Sequence, residues 1–205
     1  MDIADRLAAT APDGEEAAEP ELARLRAQVA RLESERATLW RALHHDDLTG
    51  LANRRLLDTV GPSMLRDAAR YAVLVLDLDG FKPVNDRFGH AVGDEVLRTV
   101  GRRLAGCLAG DLAVRLSGDE FAAILTESSL AGAYRDWPAL VGAIWSAVAE
   151  PMTIGGNRLV VTASIGVTTD TQAPVSMTDL IRRADLAMYH AKANRHRTYV
   201  AWDRR

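Results

Sequence analysis

The sequence predicts an α/β fold with a mixed central sheet surrounded by helices, on three observations. Tyr71-Ala72-Val73-Leu74-Val75-Leu76 is an unbroken apolar run, the pattern of a strand buried on both faces. Leu112 to Leu116 and Phe121 to Leu125 are apolar-rich runs set either side of Ser117-Gly118-Asp119-Glu120, which reads as an antiparallel hairpin with an acidic tip. Between and around these runs lie segments whose apolar residues recur at helical spacing.

Taken in order, residues 1–20 are rich in Ala, Glu and Asp and broken by Pro12, Gly14 and Pro20, and a disordered leader is expected there. From Glu21, the residues Leu22, Leu25, Val29, Leu32, Arg36, Leu39 and Leu43 alternate in steps of three and four. That spacing predicts a coiled-coil helix over 21–45 that pairs with a second copy, with Arg36 weakening the seam but able to fix its register. Asp46-Asp47-Leu48-Thr49-Gly50 then reads as a turn that opens a domain over 46–205.

Leu56, Leu57, Val60, Met64 and Leu65 mark a helix, expected to break or restart at Gly61-Pro62. After the first strand, residues 81–89 read as a short helix or turn, and Val92, Val96, Leu97, Val100 and Leu104 as a longer helix beginning near Gly93-Asp94. A further helix carries Leu140, Val141, Ile144, Trp145 and Val148 and is closed by Pro151. Arg158 to Val167 reads as one long strand after a turn at Gly155-Gly156-Asn157. The last helix, with Leu180, Ile181, Ala184, Ala187, Met188 and Ala191, is capped by Ser176 with Asp179 three residues on, and residues 199–202 form a final edge strand.

Composition narrows the function. A net charge of -3 and a pI near 6.0 leave no broad basic surface for nucleic acid. Cys107 is the only cysteine, so no intrachain disulfide forms, which fits a reducing compartment. The first residues lack the apolar core of a signal peptide and no run approaches the ~18 apolar residues of a membrane span, so a cytoplasmic protein is expected. No Gly-x-x-x-x-Gly-Lys-Ser/Thr segment supports a P-loop nucleotidase.

Two acidic strand ends carry the chemistry: Asp77-Leu78-Asp79-Gly80, which follows the buried run, and Asp119-Glu120 at the hairpin tip. Brought together in space, Asp77 and Asp119 can hold a pair of magnesium ions, because hard cations take oxygen ligands and keep phosphate oxygens as the others. Asp79 is expected on the other side of the strand end, in a structural role.

Ser117-Gly118-Asp119-Glu120-Phe121 resembles the signature of the GGDEF domain, the diguanylate cyclase family, with serine at the first glycine. Four more segments resemble the family in the same order: residues 46–55, 77–94, 163–167 and 184–192. The resemblance implies a palm-like nucleotidyl cyclase fold and the condensation of two GTP into cyclic di-GMP with release of two pyrophosphates, by a homodimer using Mg2+ or Mn2+. It implies that Asp77, the Leu78 carbonyl, Asp119 and Glu120 hold metal, with Asp119 and Glu120 catalytic. It makes Asn85 and Asp94 the readers of guanine, Lys82 and Lys192 phosphate contacts, and Phe81, Ser117 and Gly118 further parts of the substrate site, while the family's phosphate-binding arginine falls at His196, which leaves that role to Arg195 or Arg197.

Three departures stand out. Ser117 adds a Cβ beside the ligand. Where the family often carries an Arg-x-x-Asp product-inhibition motif, the frame reads Leu108-Ala109-Gly110-Asp111, which implies weak feedback and makes Leu108→Arg the change expected to introduce it. Arg102, Arg103 and Arg115 lie outside that frame and are expected on a solvated face. After Lys192 the usual Gly-Arg-Asn is replaced by Arg195-His196-Arg197. The alternative reading is an inactive domain that binds GTP or a protein partner without turnover.

Overall fold

The computed structural model describes residues 13–108, 110–130, 136–169, 176–193 and 199–201. The chain divides into two units, Met1–Leu43 and His44–Arg205. The first is the helix α1 (Asp13–His44), in which Leu22, Leu25, Val29, Leu32, Leu39 and Leu43 are all 47–64% exposed. Of the leader expected to be disordered, residues 13–20 are helical and residues 1–12 lie outside the described residues. Glu15, Glu16, Ala17, Ala18 and Glu19 are strong helix formers, and the helix continues through Pro20 although that residue removes one intrahelical hydrogen bond.

The second unit is built on a six-stranded sheet in the order β1-β3-β4-β2-β7-β8. Its strands are β1 (Ala52–Asn53), β2 (Tyr71–Asp79), β3 (Leu112–Ser117), β4 (Glu120–Thr126), β7 (Thr162–Thr169) and β8 (Tyr199–Ala201). β2 runs antiparallel to both β4 and β7, whereas the β1–β3 and β7–β8 pairs are parallel, so the sheet is mixed as expected. Trp202, expected to continue β8, lies outside the described residues.

Alternation along β2 sends its side chains to two cores. Leu74, Leu76 and Leu78 pack with Val96, Val100 and Leu104 of α4 (His90–Gly106) and with Leu140, Ile144 and Val148 of α6 (Trp137–Ala149). Val73 and Val75 pack on the other face with Leu56 and Leu57 of α2 (Arg54–Asp67) and Leu180, Ile181 and Ala184 of α7 (Met177–Ala193). α3 (Phe81–Phe88) leads from β2 into α4, and the short α5 (Glu127–Leu130) follows β4.

Three boundaries differ from the sequence reading. α2 runs unbroken through Gly61-Pro62, because Leu56 and Leu57 before the proline and Met64 and Leu65 after it pack on the same core, outweighing the ~3 kcal/mol a mid-helix proline costs. α4 starts at His90, so Gly93 and Asp94 sit inside its first turns; the Gly93 N–H already donates to the Gly89 carbonyl at 3.2 Å. The expected strand 158–167 is two strands in different sheets. β6 (Asn157–Leu159) pairs with β5 (Met152–Ile154) across Gly155-Gly156, both at positive φ, as a two-residue hairpin turn requires. That local hairpin captures residues 157–159, and β7 joins the main sheet from Thr162.

The Leu108 side chain is fully buried, just beyond α4. Leu108→Arg therefore places a guanidinium in the apolar core, so it disrupts folding instead of installing a product-binding arginine.

α7 lies against β7 at Gly166, where a Cβ would collide with the Ala184 carbonyl and the Met188 N–H. The obstacle is helix backbone, which yields only if α7 shifts away from the sheet. Gly166→Ala is expected to destabilise the domain by about 1–3 kcal/mol. Thermal denaturation of the variant checks this, and an unchanged midpoint counts against the close helix–strand approach.

Candidate functional site

The two acidic strand ends meet. In the β2–β4 register Asp77 lies opposite Glu120, and the Leu78 N–H donates to the Asp119 carbonyl at 3.3 Å. The hairpin turn between β3 and β4 consists of Gly118, at φ 45°, and Asp119, with a register irregularity between Arg115 and Ser117 that bends the strand into it.

An arginine holds this turn in place. Arg115 Nε and Nη2 donate to the Gly118 carbonyl at 3.0 and 2.7 Å, while Nη1 donates to both carboxylate oxygens of Asp46 at 3.0 and 3.1 Å. Asp46 also accepts from Thr49 N and Oγ1 at 2.8 and 2.6 Å. The expectation that Arg115 lies on a solvated face is therefore corrected. Arg103 is corrected too, since it donates to the carbonyls of Val148, Glu150 and Pro151 at the end of α6, whose final carbonyls have no intrahelical partner. Arg102 stays exposed on α4, bonded to Thr99.

Asp77 is buried, and its Oδ1 accepts a 2.7 Å hydrogen bond from Lys192 Nζ of α7. Burial pushes the Asp77 carboxyl up; the Lys192 hydrogen bond and charge pull it back, and the nearby Asp119 and Asp79 charges push it up again, leaving it above its ordinary value. The bond to Asp77 in turn raises the Lys192 ammonium. Three carboxylates crowded at one strand end thus raise the demand for positive charge.

Asp79 does have a structural role, accepting from Thr162 Oγ1 and Ser164 Oγ, both at 2.8 Å. Its expected placement across the strand end from Asp77 is wrong, because strand side chains repeat every two residues and residues 77 and 79 share a face.

Ser117 is exposed, and its Oγ donates to Glu120 Oε2 at 3.0 Å. A glycine has no group to make this bond, so in this chain the variant residue of the signature orients the neighbouring carboxylate. Phe81 is buried at the start of α3, Lys82 is exposed beside it, and Asn85 and Asp94 are half-buried on α3 and α4. Arg195, with His196 and Arg197, lies outside the described residues. Asp111 accepts from Thr126 N at 2.6 Å and Thr126 Oγ1 at 2.7 Å, and so braces the two strands of the hairpin.

Sequence reasoning missed the roles of Asp46 and Arg115. The available signal was an arginine four residues ahead of Asp119 in an otherwise apolar strand. Its partner lies 69 positions away, beyond the reach of any local pattern.

Among the described residues no three acidic, histidine or cysteine side chains converge as a ready metal cage. Asp77, the Leu78 backbone and Asp119-Glu120 supply two strand ends of oxygen donors instead. That set fits a small hard cation, which binds through one or two carboxylates and takes its remaining ligands from phosphate and water.

A family model described as "Diguanylate cyclase, GGDEF domain" matches residues 43–198. The chain belongs to the GGDEF family. Diguanylate cyclase TpbB of Pseudomonas aeruginosa is 39% identical over 170 residues, covering 80% of this chain and 38% of that protein. Response regulator PleD of Caulobacter vibrioides is 39% identical over 157 residues, 73% of this chain and 34% of PleD. The chain thus spans less than two-fifths of the length of these two relatives. Among solved structures, the coiled coil and GGDEF domain of DgcB from Caulobacter crescentus, in complex with c-di-GMP, aligns with a TM-score of 0.72 at 26% identity, covering 90% of this chain and 99% of that one. The GGDEF domain of TpbB aligns at 0.67 and 34% identity, covering 78% of this chain and 95% of that one. No helix among the described residues is long and apolar enough to cross a membrane.

The Asp46–Arg115 clamp gives this GGDEF domain a pH-dependent contribution to stability. Burial pushes the Asp46 carboxyl up, but the Thr49 and Arg115 hydrogen bonds outweigh it and hold the group below its ordinary value. A depressed carboxyl stabilises the fold above its unfolded pKa, roughly 4, and the contribution is lost as pH falls through the lower folded value. Asp46→Asn is therefore expected to cost on the order of 1–2 kcal/mol at neutral pH, with the gap to the unmodified protein closing below about pH 4. Denaturant unfolding at pH 7 and pH 3 checks it; a gap that stays constant removes the ionised carboxylate from the account.

Proposed function

We propose that the protein is a diguanylate cyclase that condenses two GTP into cyclic di-GMP and releases two pyrophosphates. The observation that carries this reading is the β2–β4 register, which sets Asp77 opposite Glu120 at the mouth of a GGDEF fold. A decayed domain with only a binding role has no requirement for carboxylates at both strand ends.

In this reading Asp77, the Leu78 carbonyl, Asp119 and Glu120 hold Mg2+ or Mn2+. The bound cation supplies charge neutralisation at the attacking and leaving oxygens of phosphoryl transfer. Asp94 accepts from guanine N1–H and N2–H2 together, a donor pair that adenine lacks, and Asn85 meets the base with its amide. Lys82 and Lys192 are close-range cations for the triphosphate, with Arg195 a further one, and Lys192 exchanges its bond to Asp77 for phosphate. Phe81 backs the start of α3, while Ser117 and Gly118 border the nucleotide. Glu120, oriented by Ser117, accepts the proton of the 3′-hydroxyl as the new bond from O3′ to the α-phosphorus forms and the bond to pyrophosphate breaks. A second such step between the same two nucleotides closes the ring.

Two GTP sites must face each other for that closure, so the working form is a homodimer, with the exposed seam of α1 pairing two copies. The solved coiled coil and GGDEF domain of DgcB, with which this chain aligns over 90% of its length, supports this arrangement. The single cysteine is compatible with a reducing, cytoplasmic setting.

Asp119→Asn is expected to retain the fold and to reduce cyclic di-GMP formation by about 1,000-fold, because an amide still hydrogen-bonds but cannot neutralise a divalent cation. Retained turnover, followed by pyrophosphate release, removes Asp119 from the site. Deleting residues 1–44 is expected to lower dimer content and turnover in parallel, with turnover recovering as protein concentration rises. Sedimentation and activity across a dilution series check this; a truncated protein that stays dimeric leaves the seam without the role.

A further inference from the structure

α3 and α4 are joined through Gly89 alone, at φ 84°, so the two helices fold back on each other within a single residue. Their closest approach brings Asn85, in the last turn of α3, over Gly93, in the first turns of α4. A Cβ built on Gly93 would collide with Asn85 Oδ1, and would lie 3.0 Å from Asn85 Cγ and 3.3 Å from Phe81 Cζ. The amide of Asn85 therefore occupies the volume that any larger residue at position 93 would fill. Gly93 is buried and Asn85 half-buried, so the contact is closed on the Gly93 side while part of the Asn85 side chain reaches solvent.

We propose that Gly93 is a positioning residue for guanine recognition: its missing Cβ is what lets the Asn85 amide lie where it can meet the base. The inference rests on the reading of Asn85 as a guanine contact and adds a second residue to it. The alternative adjustment, in which α4 moves and Asn85 stays, is opposed by the rest of the helix. Val96, Leu97, Val100 and Leu104 are 0–3% exposed in the core, so shifting α4 repacks the whole layer. The Asn85 side chain turns on two torsions and has solvent to turn into, so it is the group that yields. Backbone strain plays no part, since Gly93 lies within α4 and shows no positive φ. Replacing a helical glycine with alanine is, apart from the collision, favourable by about 1 kcal/mol, so helix propensity opposes any loss caused by the substitution.

The sequence context explains why Gly93 alone is easily overlooked. Beside Asp94, a glycine near a helix start reads as part of a turn. Only the packing of α3 on α4 turns it into a space requirement.

The test is a double-mutant cycle on the full chain with Gly93→Ala, Asn85→Ala and both together. The readout is calorimetric affinity for 3′-deoxy-GTP with magnesium, a nucleotide that lacks the attacking hydroxyl and so cannot turn over, alongside kcat and KM for GTP. Gly93→Ala is expected to weaken 3′-deoxy-GTP binding about tenfold and to raise KM for GTP similarly, with kcat within about twofold, as the loss of one polar base contact implies. Asn85→Ala is expected to give a loss of similar size. In the double variant the collision is gone, so Gly93→Ala is expected to add less than about twofold to Asn85→Ala. That comparison uses a protein without the clash, so it stands even if Gly93→Ala alone folds poorly. Weakened binding in Asn85→Ala with normal binding in Gly93→Ala overturns the role of Gly93 and leaves the guanine reading intact. Normal binding in Asn85→Ala overturns the guanine reading itself. Losses that add fully in the double variant show that Gly93 acts other than through Asn85 and overturn the proposal.

Discussion

The antiparallel pairing of β2 with β4 is the constraint on which the rest of the structure depends. It is continuous from Tyr71–Thr126 to Asp77–Glu120, so the register of the buried strand and the position of the acidic hairpin tip are one fact. A slip of one residue would turn Leu74, Leu76 and Leu78 out of one core and Val73 and Val75 out of the other, and would carry Asp77 to the wrong face of the sheet. Hydrophobic burial on both faces thereby fixes the geometry of groups that contribute nothing to the core.

At the end of that strand the energetics reverse. Asp77 is buried with Asp79 and Asp119 close by, an arrangement that costs stability unless positive charge is supplied. Lys192 supplies it from α7, and α7 reaches the strand end because Gly166 lets helix and sheet backbones approach. Thr162 and Ser164 satisfy Asp79 from β7. On the opposite side, Arg115 ties the hairpin turn to Asp46 at the entrance of the domain, so the segment that follows α1 and the turn that carries Asp119 share one guanidinium. A displacement at Asp46 therefore reaches the turn through two hydrogen-bonded steps.

Much of this was legible in the sequence because burial writes period-2 and period-3.6 patterns into it. The apolar run at Tyr71 and the hairpin follow from such patterns, and the Ser176–Asp179 cap from a local capping motif, whereas the meeting of the acidic ends was only a condition in the sequence, met by the β2–β4 register. The failures share a different cause. Pro62 reads locally as a break, yet packing on both sides of it holds α2 together. Residues 158–167 are uniformly strand-like, so nothing local marks the point where one sheet hands over to another. Leu108 was read as a missing arginine, when its place beneath α4 makes it core. Arg115, Gly93 and Gly166 have partners 69, 8 and 18 or more positions away, and only tertiary contact reveals what each does. The misplacement of Asp79 was an error of parity, which the two-residue repeat of a strand corrects without any structure.

Within the site, the departure from the family signature supplies a hydrogen bond to Glu120 that a glycine cannot supply, so it does not read as damage. The central claim is that this arrangement turns GTP over. The most direct measurement incubates the purified protein with GTP and magnesium and identifies the products by chromatography and mass spectrometry. The account predicts cyclic di-GMP and pyrophosphate in a ratio of one to two, dependent on the divalent cation. GTP bound and recovered unchanged, at protein concentrations where the dimer is populated, contradicts it.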